Sequence, residues 1–454
     1  MAGFLIAFLS GFTLTVALVA MRGTILDITR FRENPWPILW YIQLLVVLVP
    51  VTVVSVVGIE GIWATGARIL LAAVRGSETE IALIVLGTLL LYISSLAIFL
   101  RTAGLKALSD EITFIKGHER IISQYAWGLM IVGTLVFAIF GVLGFRHAFI
   151  ASWLGSERLL KVRLANTYEI GVPSQVIPVF FWIAYILSML GGLYFRLQQR
   201  RDGILFGLYS LFLASAPGNK APVIIATLLW IIAARIGIPK VIYSLKAVVS
   251  GGVGLVVVAG LIYWTFQRQY PDAVFSQFVL YVLSRLGVGQ MNGTYSTFGL
   301  AMSGNLPIGE YYWALIPGAS FLNREYVNYQ KVLMMVTEGY GFTEMGVVNS
   351  YFIAEAFAIG GYPLVWLSPI IVALSSVVGI VCLRRMLGYL VWRPLAPQLS
   401  LVLFLVTHDI TGGFNSFPLF KGLIVVGMML FAALWPIKVW RPVQYLRREV
   451  HTLR

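Results

Sequence analysis

Apolar runs of about 20 residues recur along nearly the whole chain, with charges confined to short groups between them. A run of that length as a helix spans the hydrocarbon core of a bilayer, and few other folds can hide so many of them. The composition agrees: 59% of residues are hydrophobic and 11% charged, against about 25% charged in soluble domains. No alternating period-two strands of the barrel type are visible, so the expected class is all-α and polytopic. Candidate spans fall near 2–21, 36–59, 81–100, 121–145, 176–195, 203–216, 221–235, 247–265, 346–382, 395–411 and 419–437, which makes about 11 transmembrane helices in a single membrane domain, 1–454. The first, Met1–Met21, has no basic residue before its apolar core and reads as a retained span, not a cleaved leader. The sixth and seventh are short and joined by Ala216-Pro217-Gly218-Asn219, a tight hairpin. The ninth is too long for one crossing. Gly360-Gly361 followed by Pro363 is expected to break it into a shallow or re-entrant helix and a true span.

The net charge of +14 invites a nucleic-acid reading, but its distribution argues for positive-inside placement instead. Alternate loops hold 21 and 12 of the 33 basic residues. The richer set predicts a cytoplasmic C-terminus and an N-terminus on the outer, periplasmic face of a bacterial inner membrane. Two external elements follow, residues 146–175 and a long loop, 266–345. Twelve basic residues on the side that should be poor in them point to an anionic ligand at the membrane surface. Cys382 is the single cysteine and the 4 histidines are scattered, which excludes a disulfide framework and argues against a metal site. No metal and no cofactor are expected.

The long loop carries the richest chemistry. Phe275, Phe278, Val279, Val282, Leu283 and Leu286 recur at helical spacing within 274–288. That is an interfacial amphipathic helix with Arg285 at the edge between its faces, at headgroup level. Read blandly, Arg285 snorkels along the membrane surface. Read functionally, it meets a lipid phosphate. Arg268 lies just upstream. Arg324, in Asn323-Arg324-Glu325-Tyr326, offers the paired donors that suit a phosphate, or is simply solvated. Lys220 stands at the rim of the short hairpin; the P-loop spacing is absent. Tyr311, Trp313 and Tyr326 either stack on sugar rings or form an interfacial aromatic belt. Glu355 sits in an otherwise apolar run, where an ionisable residue is costly and marks a site or an anchoring ion pair. His408, next to Asp409 at the end of the tenth span, is a second candidate base or a helix-end residue bonded to carbonyls.

Many helices, a large late external loop, and the segment Gly-Val-Val-x4-Ile-Ala-Glu-Ala-Phe-Ala-Ile-Gly-Gly from Gly346 to Gly361 resemble the Wzy-type oligosaccharide repeat-unit polymerases. Gly218 with Lys220 and the Arg285 helix fit the same pattern; Phe357 stands where a Tyr is expected and Lys220 where Arg is common. The resemblance implies a GT-C-like, metal-independent glycosyltransferase. Its substrates would be oligosaccharides on undecaprenyl diphosphate, within membrane lipids, with a chain-length regulator as a possible partner and no nucleic acid. Glu355 or His408 would take the acceptor proton. Arg285, Arg324, Lys220 and Arg268 would hold the diphosphate. An O-antigen-type ligase shares this architecture, and a lipid-linked sugar transporter or flippase is the rival from another class.

Overall fold

The structure is a computed structural model that describes residues 2–31, 34–58, 74, 76–106, 119–154, 159–168, 177–197, 200–235, 260, 263, 267, 274–284, 291–304, 329, 332–333, 350–390, 396–407, 410 and 414. Among these residues it is helical, with no strand beyond one isolated bridge. The helices are α1 (Ala2–Ala20), α2 (Ile38–Val57), α3 (Glu78–Thr102), α4 (Glu119–Val142), α5 (Ala148–Leu154), α6 (Leu159–Tyr168) and α7 (Ile177–Arg196). There follow α8 (Arg200–Ser215), α9 (Lys220–Arg235), α10 (Phe275–Ser284), α11 (Asn292–Met302), α12 (Ile353–Leu390) and α13 (Ala396–Thr407). Six helices among the described residues are long and apolar enough to cross a membrane. The expected spans at 247–265 and 419–437 fall almost wholly outside the described residues. The protein is therefore a helical, multi-pass membrane protein.

Two groups of helices share one core. In the first, α3 packs against α1 and α12, with α2, α11 and α13 around them. Loop geometry ties the group together at one end. Thr24 bridges to Lys106, Ile25 N–H donates to the Leu105 carbonyl at 2.9 Å, and Arg101 donates to the Ala20 carbonyl at 2.7 Å. Asp27 organises this corner. Burial pushes its carboxyl up, but the Gly23 N–H, the hydroxyl and N–H of Thr29 and the nearby Arg30 outweigh that and hold it below the ordinary carboxylate value. Its stabilising effect is thus complete above about pH 4 and is lost as pH falls through the lowered value. Asp27→Ala leaves the N–H groups of Gly23 and Thr29 without their acceptor. We expect it to cost about 1–3 kcal/mol, read as a drop in melting temperature at pH 7 that shrinks in strong acid.

In the second group α7 lies between α8 and α9, with α4 alongside. Glycine permits this approach. A Cβ on Gly192 would lie 2.3 Å from the Trp230 carbonyl of α9, and one on Gly203 would lie 2.5 Å from the Phe195 nitrogen of α7. Backbone-to-backbone contacts of this kind are how helices pack where lipid supplies no hydrophobic drive. Ser188 donates to the Ala226 carbonyl across the same seam. The expected hairpin at 203–216 and 221–235 is present as α8 and α9, with Gly218 at φ +90° in the turn.

The ninth apolar run is folded back on itself. Phe352 stacks edge-on against Tyr92 of α3, ring centroids 6.1 Å apart, and the Tyr92 hydroxyl also reaches Ser376. A straight helix would separate Phe352 from Ser376 by about 36 Å, so one tyrosine touches both only if the chain reverses between them. The reversal is at Gly360 (φ −142°, ψ 17°) and Gly361 (φ 63°, ψ −159°), which divide α12 into a short first limb and a long second one. Glu80 lies close enough to Tyr362 to act on it electrostatically, which sets the turn about 18 Å along α3 from Tyr92. The re-entrant helix expected from the Gly-Gly-Pro pattern is therefore realised.

Candidate functional site

Tyr92 stands near the middle of α3, so the start of α12 lies at mid-depth in the helix bundle. Backbone there cannot be left bare in a membrane and must find partners within the protein. It does. Tyr351 N–H donates to the Thr294 hydroxyl of α11 at 2.8 Å, and Phe352 N–H donates to the Ile410 carbonyl at 3.1 Å. Trp40 of α2 donates to the Tyr92 hydroxyl at 3.3 Å, and Gln43 of the same helix donates to the Leu405 carbonyl of α13 at 2.9 Å. Four helices thus converge on the few residues before Ile353. The end of α13 is part of this junction. The tenth span is expected to complete its crossing by residue 411, whereas the bond to Ile410 puts the chain there at the level of Phe352, inside the bundle.

Glu355 is in the first turn of α12 and is fully buried. Among the described residues no other carboxylate is buried to 0% exposure. Two features make the position tolerable. The first turn of a helix favours negative charge through its aligned peptide dipoles and N–H groups. The neighbouring helix α11 is also rich in buried hydroxyl groups, Thr294, Ser296 and Thr297, with Tyr329 bonded to Thr297 and Ser350 just before the limb. Thr297 and Tyr329 share a hydrogen bond of 2.7 Å. Phe357 packs between Phe298 of α11 at 5.0 Å and Tyr362 across the turn at 4.9 Å, which closes the limb against both neighbours.

The other predicted residues fare differently. Lys220 opens α9, next to the turn in which Gly218 packs against Ala148 and the Arg163 stem. The amphipathic helix expected over 274–288 is present as α10, with Phe278 buried against Tyr263 at 4.9 Å while Phe275 and Val279 face outward. That pattern suits a helix lying on an apolar surface. Arg268, Arg285, Tyr311, Trp313, Arg324, Tyr326 and His408 lie outside the described residues. Of the expected constellation, the structure thus locates Glu355 and the start of α9.

Sequence reasoning missed Thr294, Tyr92 and Gln43. A polar run in α11, Asn292-Gly293-Thr294-Tyr295-Ser296-Thr297, was the available signal for the first. Nothing local marked the other two, each a lone polar group in an apolar span. No family model matches the chain, and searches of the curated proteins and of the solved structures return no match.

Proposed function

We propose that this protein is a polysaccharide polymerase that joins oligosaccharides carried on undecaprenyl diphosphate, at the outer face of a bacterial inner membrane. The observation that carries the reading is Glu355, a carboxylate buried at mid-depth on the first turn of a fold-back limb. A helix start, two backbone hydrogen bonds to distant elements and a glycine reversal together hold one ionisable group in place. Such an arrangement is costly in a purely structural membrane bundle.

The chemistry would run without a metal. The bond between the donor's anomeric carbon and its phosphate oxygen breaks, and a bond from the acceptor hydroxyl oxygen to that carbon forms. Glu355 takes the hydroxyl proton. The diphosphate leaves with its added charge stabilised by basic groups, for which Lys220, Arg268, Arg285 and Arg324 are the candidates. Full burial of Glu355 requires its cover to move before a hydroxyl reaches it. A ligase would use the same donor with a different acceptor. A chain-length regulator is the partner that such a polymerase would meet.

One observation favours a second reading. The start of the short first limb of α12 and the chain just beyond α13 meet at mid-depth through the Phe352–Ile410 bond. Discontinuous helices of this kind form substrate sites in secondary transporters. Solubilisation separates the two. Purified protein in detergent, given undecaprenyl-diphosphate-linked repeat units from its source cell, is expected to build a ladder of longer lipid-linked chains. A transporter has no gradient or second compartment in detergent and builds none. Absence of the ladder, with movement of the same lipid across reconstituted vesicles, would overturn the polymerase reading.

A further inference from the structure

His147 lies outside the spans, between α4 and α5, and is 8% exposed. Its ring joins three elements. Nε2–H donates to the Phe212 carbonyl near the end of α8 at 3.0 Å, with the Ser215 hydroxyl at 3.3 Å. Nδ1 accepts from the Ile150 N–H at 3.3 Å, which caps the start of α5. The ring itself rests on Phe212 at 4.7 Å and on Phe137 of α4 at 6.2 Å. Next to it, Ala148 N–H donates to the Ala216 carbonyl at 2.8 Å, and Gly218 of the same turn packs against Ala148 and Arg163. His147 therefore fastens the outer helices α5 and α6 to the turn that leads into α9 and Lys220. Asn166 and the backbone of Arg146 clasp α6 to the same corner with bonds of 3.1 and 2.7 Å.

The two ring bonds admit one neutral tautomer. One nitrogen must donate to a carbonyl while the other must accept from a backbone N–H. A second proton on Nδ1 would face the Ile150 N–H, donor against donor. The charged groups described around the ring offer no relief. Arg146 is adjacent, Lys161 and Arg163 lie on α6, and Lys220 opens α9. Asp202, Arg200 and Arg201 of α8, Glu119 and Arg120 of α4, and Arg196 of α7 all stand at the opposite ends of their helices. We propose that His147 is an acid-released latch, which holds α5 and α6 against the α8–α9 turn while neutral and lets them part when protonated. Burial lowers its affinity for a proton, an effect that the carbonyls of Phe212 and of His147 itself only partly offset. The sign follows. The closed state is fully favoured above the ordinary histidine value of about 6.5. Below it, the closed-to-open ratio falls by up to about tenfold per pH unit.

The test does not depend on the proposed reaction. Ser152 is 5% exposed on the inner face of α5, so Ser152→Cys in a Cys382→Ser background reports on opening. A charged methanethiosulfonate would be applied to full-length protein in nanodiscs at pH 7.5 and 5.5, with each rate normalised to that of the denatured chain at the same pH. The normalised rate is expected to rise by up to about tenfold on acidification. The rise should vanish in His147→Gln and persist when His118, His408 and His451 are all changed to Gln. A flat profile in the parent protein overturns the latch, as does an unchanged rise in His147→Gln. Loss of the rise in the variant that keeps only His147 overturns it too, so a poorly folded His147→Gln leaves the question decidable.

Discussion

Glu355→Gln is expected to leave protein abundance and melting temperature close to the parent and to lower chain extension by about 100-fold or more. The substitution keeps the shape and most of the hydrogen bonding of a residue that is fully buried in the first turn of α12. It removes the group that accepts a proton. A structural role predicts the opposite split. If the carboxylate only anchors the limb through an opposite charge, Gln leaves that cation buried and unpaired, which costs about 3–5 kcal/mol. Folded protein would fall while the specific activity of what remains held. The measurement is therefore paired: polymer length per folded molecule, with the folded fraction counted by size-exclusion fluorescence. Full activity at normal abundance would remove Glu355 from the chemistry and pass the base role to His408.

The second large effect is on the backbone. Gly361→Val should prevent the fold-back altogether. Gly361 has φ 63° and ψ −159°, a region open to glycine and essentially closed to residues with a Cβ, at about 1–3 kcal/mol for each strained position. A β-branched side chain is the worst substitute there. Gly360 at φ −142° carries no such restriction, although a Cβ there would lie 2.9 Å from that of Leu364. We thus expect Gly361→Val to yield little folded protein and Gly360→Ala to lose only part of its stability. Equal tolerance at the two positions, measured as folded yield and melting temperature, would mean that the reversal does not depend on the left-handed backbone.

These two residues show what was legible in advance. The break at Gly360-Gly361 was readable because glycine pairs followed by Pro363 interrupt a helix for local reasons. Which form it takes, shallow or re-entrant, was not. Whether α12 kinks or turns back depends on Tyr92 holding Phe352 and Ser376 at one level, a contact between residues far apart in sequence. Glu355 stood out because a carboxylate in an apolar run is anomalous on its face. Thr294 did not, since a threonine in a mixed segment is unremarkable until its hydroxyl is seen to hold the Tyr351 N–H. The shallow end of α13 was missed for a similar reason. The run 395–411 has the composition of a full crossing, yet the chain is still inside the bundle at Ile410. Hydropathy measures what a segment avoids, not how far it travels.

The bridge between Thr24 and Lys106 bears on orientation through parity. A chain whose α1 and α3 exits touch must pass through the bilayer an even number of times between them, and α2 with α3 supply one such pair. Arg22 and Arg30 therefore share a compartment with Arg101 and Lys106 whatever the lipid asymmetry, and they act in topogenesis as one block of charge. Moving charge out of one exit alone should leave the sidedness unchanged, because the other still votes for the pair. An inverted molecule would have to invert both, and α1 with them.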